Sequence, residues 1–251
     1  MKRNLLTLLS LVIFFVGCSE KEFDPADPKK SFGIAKEPYD DENYEIALTR
    51  LGEYKSRFPY SVYAVEAELL IANSYFSLSK FGEAAASYEQ FVKLHPRHGL
   101  ADFAQFRVGE SYWQDAPEEV NREQDYAARS VAEWQKLLDR YPKSSYADKA
   151  KDLIAIGTRR IAESMEFIAD FYCRKEVWQA CAYTFIKLAE TYPQFKDLVK
   201  KSYDKAADCF ELLSSQKAED KESDKNIYFK TMSAEEIRAK ASEFRKKASS
   251  V

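Results

Sequence analysis

Glycine and proline are scarce in this chain, with 7 and 8 residues among 251, about half the roughly 12% share the two reach together on average. A β-sandwich or barrel turns every 8–12 residues or so and draws on those residue types to do it. That shortage argues against β-rich folds. Histidine is scarcer still, limited to His95 and His98. With Pro96 between them they form no helical i, i+4 metal clip. The four cysteines (Cys18, Cys173, Cys181, Cys209) contain no C-x2-C pair, so no metal site is expected. Cationic excess is also missing: 38 Lys and Arg stand against 41 Asp and Glu, for a net charge of −3. A nucleic-acid binder would show a basic stripe, and none is expected here. The apolar run Leu5–Val16 falls well short of the ~20 residues that cross a bilayer as a helix.

What is present is ample core material and a solvated exterior. Hydrophobic residues make up 45%, aromatic residues 14% and charged residues 31%, the mix of amphipathic helices. At the N-terminus, Lys2 and Arg3 precede the Leu5–Val16 run, the layout of a signal peptide. Phe15-Val16-Gly17-Cys18 resembles a bacterial lipobox, which implies cleavage after residue 17 and acyl chains on Cys18. Two or more chains anchor a protein stably, whereas one does so only marginally. Ser19, rather than Asp, follows Cys18, which by analogy with the enterobacterial sorting rule favours the outer membrane. The expectation is therefore a lipid-anchored protein facing the periplasm, with the covalent lipid in place of any cofactor.

Residues 18–41 hold Pro25, Pro28 and Pro38 among many charges and read as an extended tether. Helical periodicity follows from residue 42. Phe58-Pro59, His95-Pro96, Tyr141-Pro142 and Tyr192-Pro193 punctuate it at proline spacings of 37, 46 and 51. A period of 34 with small and aromatic residues at set places marks a tetratricopeptide helical pair. The inner positions align: Ala72, Tyr75, Ala84, Tyr88 and Phe91 precede Pro96, and Gly109, Tyr112, Ser130, Trp134 and Leu137 precede Pro142. Ala169, Tyr172, Cys181, Phe185 and Leu188 precede Pro193. The predicted fold is all-α, a tetratricopeptide α-solenoid of about five helical pairs over 42–213. A loop at Ala116–Gln124 lengthens the third pair, and a long helix from about Tyr146 to Tyr172 opens the fourth. The first pair lacks a clear partner helix. Residues 214–251 are predicted to hold a charged linker and a last helix, Ala234 to Lys247, begun by a Ser233/Glu236 capping box. Cys173 and Cys181 flank a predicted helix–helix turn, where a disulfide and buried free thiols are both open.

No nucleophile–base arrangement, phosphate-cradling glycine loop or nucleotide fingerprint occurs, so enzymatic activity is not expected. First helices of such pairs line a groove. Leu69, Asn73, Phe76, Phe103, Phe106, Glu110 and Trp113 fall at groove positions and make an aromatic strip with polar points, suited to a peptide. Packing beneath a neighbouring loop is the competing role for Phe103, Phe106 and Trp113. The fourth pair places Glu163, Glu166, Asp170 and Arg174 at the same positions, a charged counterpart.

The segments Arg57-Phe58-Pro59-Tyr60-Ser61, Ala72-Asn73-Ser74-Tyr75-Phe76 and Phe91-Val92-Lys93-Leu94-His95-Pro96-Arg97-His98 are similar to the BamD (ComL/YfiO) family of outer-membrane assembly lipoproteins. The lipobox, tether, pair count and long fourth unit agree with that family. The resemblance implies a scaffold of the β-barrel assembly (BAM) complex, bound to a POTRA domain of BamA through its C-terminal units, with other BAM lipoproteins as further possible partners. It implies that the N-terminal groove receives the C-terminal strand of unfolded outer-membrane proteins, and that Glu163, Glu166, Asp170 and Arg174 are candidates for the BamA contact. The alternative is another tetratricopeptide lipoprotein, such as a secretin pilotin or a Tol partner, with the same anchor and a different client.

Overall fold

The computed structural model describes residues 22–218 and 232–251. Cys18 and residues 219–226 of the expected linker lie outside them. Ten α-helices and no strand occur among the described residues: α1 (Pro28–Asp40), α2 (Tyr44–Arg57), α3 (Val62–Ser77), α4 (Phe81–Leu94), α5 (Ala101–Asp115), α6 (Asp125–Arg140), α7 (Ala147–Arg174), α8 (Trp178–Thr191), α9 (Lys196–Ala218) and α10 (Ala234–Ser249). None is long and apolar enough to cross a membrane. The fold is the all-α tetratricopeptide class expected from the residue spacing.

Two recurring local geometries produce the pairs. Each second helix from α2 to α8 ends on the residue before a proline. Phe58, His95, Tyr141 and Tyr192 share φ between −124° and −128° and ψ between 52° and 59°. A following proline crowds the α region of the residue before it, so the chain leaves the helix there. Within pairs, three turns carry a residue in the left-handed region: Glu42 (φ 60°), Ser79 (φ 55°) and Glu176 (φ 57°). In each turn the next amide donates back into the preceding helix, Asn43 N to Pro38 O at 2.8 Å, Lys80 N to Tyr75 O at 2.9 Å and Val177 N to Tyr172 O at 3.0 Å. Glycine is the usual occupant of that conformation. Here none of the six glycines among the described residues provides it.

The described residues form two compact units, divided within α3 after Ala67. In the first, the structure corrects the expected tether. Asp27 caps α1 by accepting from Lys30 N, and Pro28 stands in its first turn, where a missing N–H costs nothing. Phe32 and Ala35 are buried, Phe32 stacking on Tyr63 at 5.2 Å and meeting Tyr54 at 5.4 Å. The Tyr54 hydroxyl donates to Pro28 O at 3.1 Å and shares a 2.8 Å hydrogen bond with Ser61 Oγ. Helix α1 is thus the missing partner of α2. The charges that read as a tether are its solvated face.

In the second unit, α4 through α10 pack mainly on their sequence neighbours. Two glycines make this possible. A Cβ on Gly109 would lie 2.5 Å from Trp134 Nε1, and one on Gly157 would lie 2.6 Å from Val131 Cγ2. Ser130 Oγ donates to Gly109 O at 2.7 Å, and Trp134 Nε1 donates to Phe106 O at 3.2 Å. The long helix is α7 and the inserted loop spans residues 116–124, both as predicted. Helix α9 runs on to Ala218, so residues 214–218 are helix rather than linker. Their start is tied down, since Ser214 is buried and its hydroxyl donates to Ala234 O at 2.9 Å. The Ser233/Glu236 capping box is present at the start of α10. Ile237, Ala241 and Phe244 join the same apolar cluster as Phe185 and Phe210, with Phe244 stacked on Phe210 at 5.6 Å.

Candidate functional site

The expected groove residues fall into two groups. Leu69 is 6% exposed and Phe106 is 1% exposed, so neither is a contact surface. Phe106 lies between Tyr146, stacked at 5.0 Å, and Trp134 at 6.3 Å. Its ring is core because the long α7 brings Tyr146 over it. Asn73, Phe76, Phe103, Glu110 and Trp113 remain partly accessible. They are not a bare aromatic strip, since cations lie on it.

Arg107 organises the centre. Its guanidinium sits 3.5 Å from the Phe76 ring centroid, 5.8 Å from Tyr88 and 5.9 Å from Phe103. Nη1 donates to Glu110 at 2.7 Å and Nε to the Tyr88 hydroxyl at 3.3 Å. That hydroxyl donates onward to Asn73 Oδ1 at 2.6 Å. Burial disfavours the Arg107 charge, but Tyr88 and Glu110 outweigh it, and its pKa lies above the ordinary guanidinium value. Glu110 also meets Lys149 Nζ at 3.4 Å. Further along, the Arg160 guanidinium lies 3.9 Å from the Trp113 centroid and donates to Pro117 O at 3.4 Å. Cations over ring faces are attracted by the ring quadrupole. Such a surface offers flat apolar area and charged donors in alternation.

The charged face of the fourth pair is largely spoken for. Glu163 pairs with Arg159 at 2.7 Å, and Arg159 grips Asp197 at the start of α9 through two bonds of 2.8 and 2.7 Å. This pairing holds the Asp197 carboxyl down at about 2. Glu166 accepts from Lys201 at 2.5 Å. Glu163, through Arg159, and Glu166 therefore fasten α7 to α9, so they reach this surface already paired. Asp170 is half-buried, and Arg174 is exposed, 5.5 Å from the Phe167 centroid. Exposed Phe167, Ile168 and Phe171 stand beside them as the apolar part of that surface.

His95 and His98 are structural, as expected. His95 ends α4 and meets Glu68 at 2.8 Å through Nε2, while His98 Nδ1 accepts from Leu100 N at 3.1 Å. Arg107, Lys149 and Arg160 carry no spacing signal: Arg107 directly follows a groove position, and Lys149 and Arg160 come from α7 and reach the strip only in the folded chain. A cleft of about 690 Å³ bordered by Val92, Lys93, Gln105, Lys136, Arg140 and Tyr141 was also not anticipated.

Known proteins extend this picture. A protein-family model described as "YfiO: Outer membrane lipoprotein" matches residues 25–226. The chain is 28% identical over 197 residues to the outer membrane protein assembly factor BamD of Vibrio cholerae, covering 74% of this chain and 81% of that one. It is 25% identical over 215 residues to BamD of Neisseria gonorrhoeae, covering 76% and 78%. Among solved structures, a thermophilic tetratricopeptide protein of Thermus thermophilus aligns at 17% identity over 71% of this chain and 98% of that one, with a TM-score of 0.39. With a family model spanning both compact units, the chain belongs to the YfiO family of outer membrane lipoproteins.

Proposed function

We propose that this chain is a non-enzymatic, lipid-anchored scaffold for assembling proteins into the outer membrane, facing the periplasm. The observation that carries the reading is the family match over residues 25–226, alongside relatives named outer membrane protein assembly factor. In this reading the acyl chains on Cys18 hold the protein at the membrane, since no described helix spans one. The half-buried rings of Phe76, Phe103 and Trp113, with Arg107 and Arg160 over them, receive an extended client segment ending in an aromatic residue. Ring faces take the client side chain, and the guanidinium groups take its carboxylate or backbone carbonyls. The surface around Asp170, Arg174, Phe167 and Phe171 docks a POTRA domain of the barrel subunit, BamA.

The deciding experiment is a pull-down from solubilised outer membranes through a C-terminal tag. Recovery of a large POTRA-bearing barrel protein is the expected result. Recovery of a secretin or of Tol components in its place overturns the assignment. Crosslinking then separates the two surfaces: a photoreactive residue at Arg174 should trap the POTRA domain, and one at Trp113 the client peptide.

A further inference from the structure

Three sulfurs meet in the C-terminal core. Cys173, in the last turn of α7, is joined to Cys181, in the first turn of α8, across the Glu176 turn. Cys209, in the middle of α9, is the one free cysteine among the described residues and is 2% exposed. Its Sγ lies 2.9 Å from Cys181 Sγ, and all three sulfurs fall within 4.8 Å of one another. Phe185, Phe210 and Ala206 belong to the same apolar cluster. A soft metal would need all three as thiolates, and the oxidised cluster supplies only one thiol. Exchange is the chemistry that this arrangement supports as it stands.

We propose that Cys209 and the Cys173–Cys181 disulfide form an internal exchange site, in which the bond moves to Cys181–Cys209 and Cys173 becomes a modifiable surface thiol. The step balances without any added oxidant or reductant. Cys209 loses its proton and its sulfur attacks Cys181 Sγ. The new S–S bond forms as the old one breaks, and the bonding pair leaves on Cys173 Sγ, which takes up a proton. The three clustered cysteines therefore keep one disulfide and one thiol throughout.

What changes is which elements are linked and where the thiol sits. The first pairing staples α7 to α8, and the second staples α8 to α9. The first leaves its thiol buried, where desolvation, with Asp208 adding and Lys205 opposing, pushes Cys209 up to about 12. The second leaves it on partly exposed Cys173, followed in sequence by exposed Arg174 and Lys175. A thiol at the partly exposed end of α7 is within reach of solvent and reagents, which the buried one is not. Cys173 then takes thiol-directed reagents, small disulfides being the natural class.

The test uses the full oxidised chain. It is incubated natively with iodoacetamide, then unfolded in N-ethylmaleimide without reductant and mapped by non-reducing peptide mass spectrometry. The expected result is carbamidomethyl on Cys173 with a Cys181–Cys209 bond. Retention of the Cys173–Cys181 bond at equilibrium, with Cys209 taking N-ethylmaleimide only on unfolding, overturns the proposal. The Cys173→Ala variant checks the second pairing directly. After oxidation with glutathione disulfide and with helical circular dichroism unchanged, it should show complete loss of titratable thiol in denaturant. Two remaining thiols, or glutathione held on Cys181, would refute it.

Discussion

Trp134 occupies the space into which a side chain on Gly109 would grow, its indole Nε1, Cδ1 and Cε2 lying 2.5 to 2.9 Å from an ideal Cβ. Gly109→Ala should therefore destabilise the second unit even though alanine is the better helix former. Overpacking costs about 1–3 kcal/mol, and the propensity gain returns roughly 1 kcal/mol. Gly52, in α2, has nothing within 4 Å of its Cβ position. Gly52→Ala should raise stability by about 0.5–1 kcal/mol. Urea unfolding of both variants checks the contrast, and equal effects would refute the packing account.

The left-handed turns allow a second test. Left-handed backbone costs a non-glycine residue about 1–2 kcal/mol, and Ser79 adopts it at φ 55°. Ser79→Gly should be stabilising by a few tenths to ~1 kcal/mol, after the extra unfolded-state freedom of glycine is subtracted. Glu42→Gly and Glu176→Gly should follow the same sign. Thermal melts of the three variants measure it.

The Arg159–Asp197 pair predicts a pH dependence. The Arg159 hydrogen bonds lower the Asp197 carboxyl to about 2, below the unfolded value of about 3.9. A depressed folded pKa contributes stability that is present above the unfolded value and lost as pH falls through the folded one. The stability gap between the natural chain and Asp197→Asn should thus be full at neutral pH, narrow below about pH 4 and close near pH 2. Denaturant midpoints across that range, in low salt, give the measurement.

Core and contact roles separate among the groove aromatics. Phe106→Ala removes a ring that is 1% exposed and should cost about 3–5 kcal/mol of stability. Trp113→Ala and Phe103→Ala remove half-buried rings and should cost less. On the proposed function, these two variants lose affinity for a peptide ending in an aromatic residue while remaining folded. Fluorescence anisotropy with such a peptide, beside circular dichroism, distinguishes the two kinds of loss.

Much of this molecule was legible in one dimension because its signals are local. A proline restricts the residue before it whatever surrounds the pair, so Pro59, Pro96, Pro142 and Pro193 revealed the ends of α2, α4, α6 and α8. Small and aromatic residues at helical spacing identified Ala72, Ala84, Gly109 and Trp134 as inner positions, and Ser233 with Glu236 announced α10. Helix α1 was missed because Pro25, Pro28 and Pro38 in a charged stretch suit an extended segment equally well. Only burial of Phe32 against Tyr54 and Tyr63 selects the helix.

The groove shows the same division. Spacing put Phe76, Phe103, Phe106 and Trp113 on first helices, which is a statement about one helix at a time. Whether a ring is core or surface depends on what another helix lays over it. Tyr146 and Trp134 close over Phe106, whereas Arg107 and Arg160 settle on Phe76 and Trp113. Glu163 and Glu166 likewise became fasteners only because α9 brings Asp197 and Lys201 within reach of α7. Likewise, the cysteine positions alone left the pairing open, and packing of α9 set Cys209 beside Cys181. For α2 to α8 and α10 the sequence by itself determined where helices end and hide their small residues, because those rules act over four or five neighbours. Which rings stay accessible, which charges are consumed and which sulfurs meet were decided by contacts between residues some thirty or forty places apart, which only the folded chain brings together.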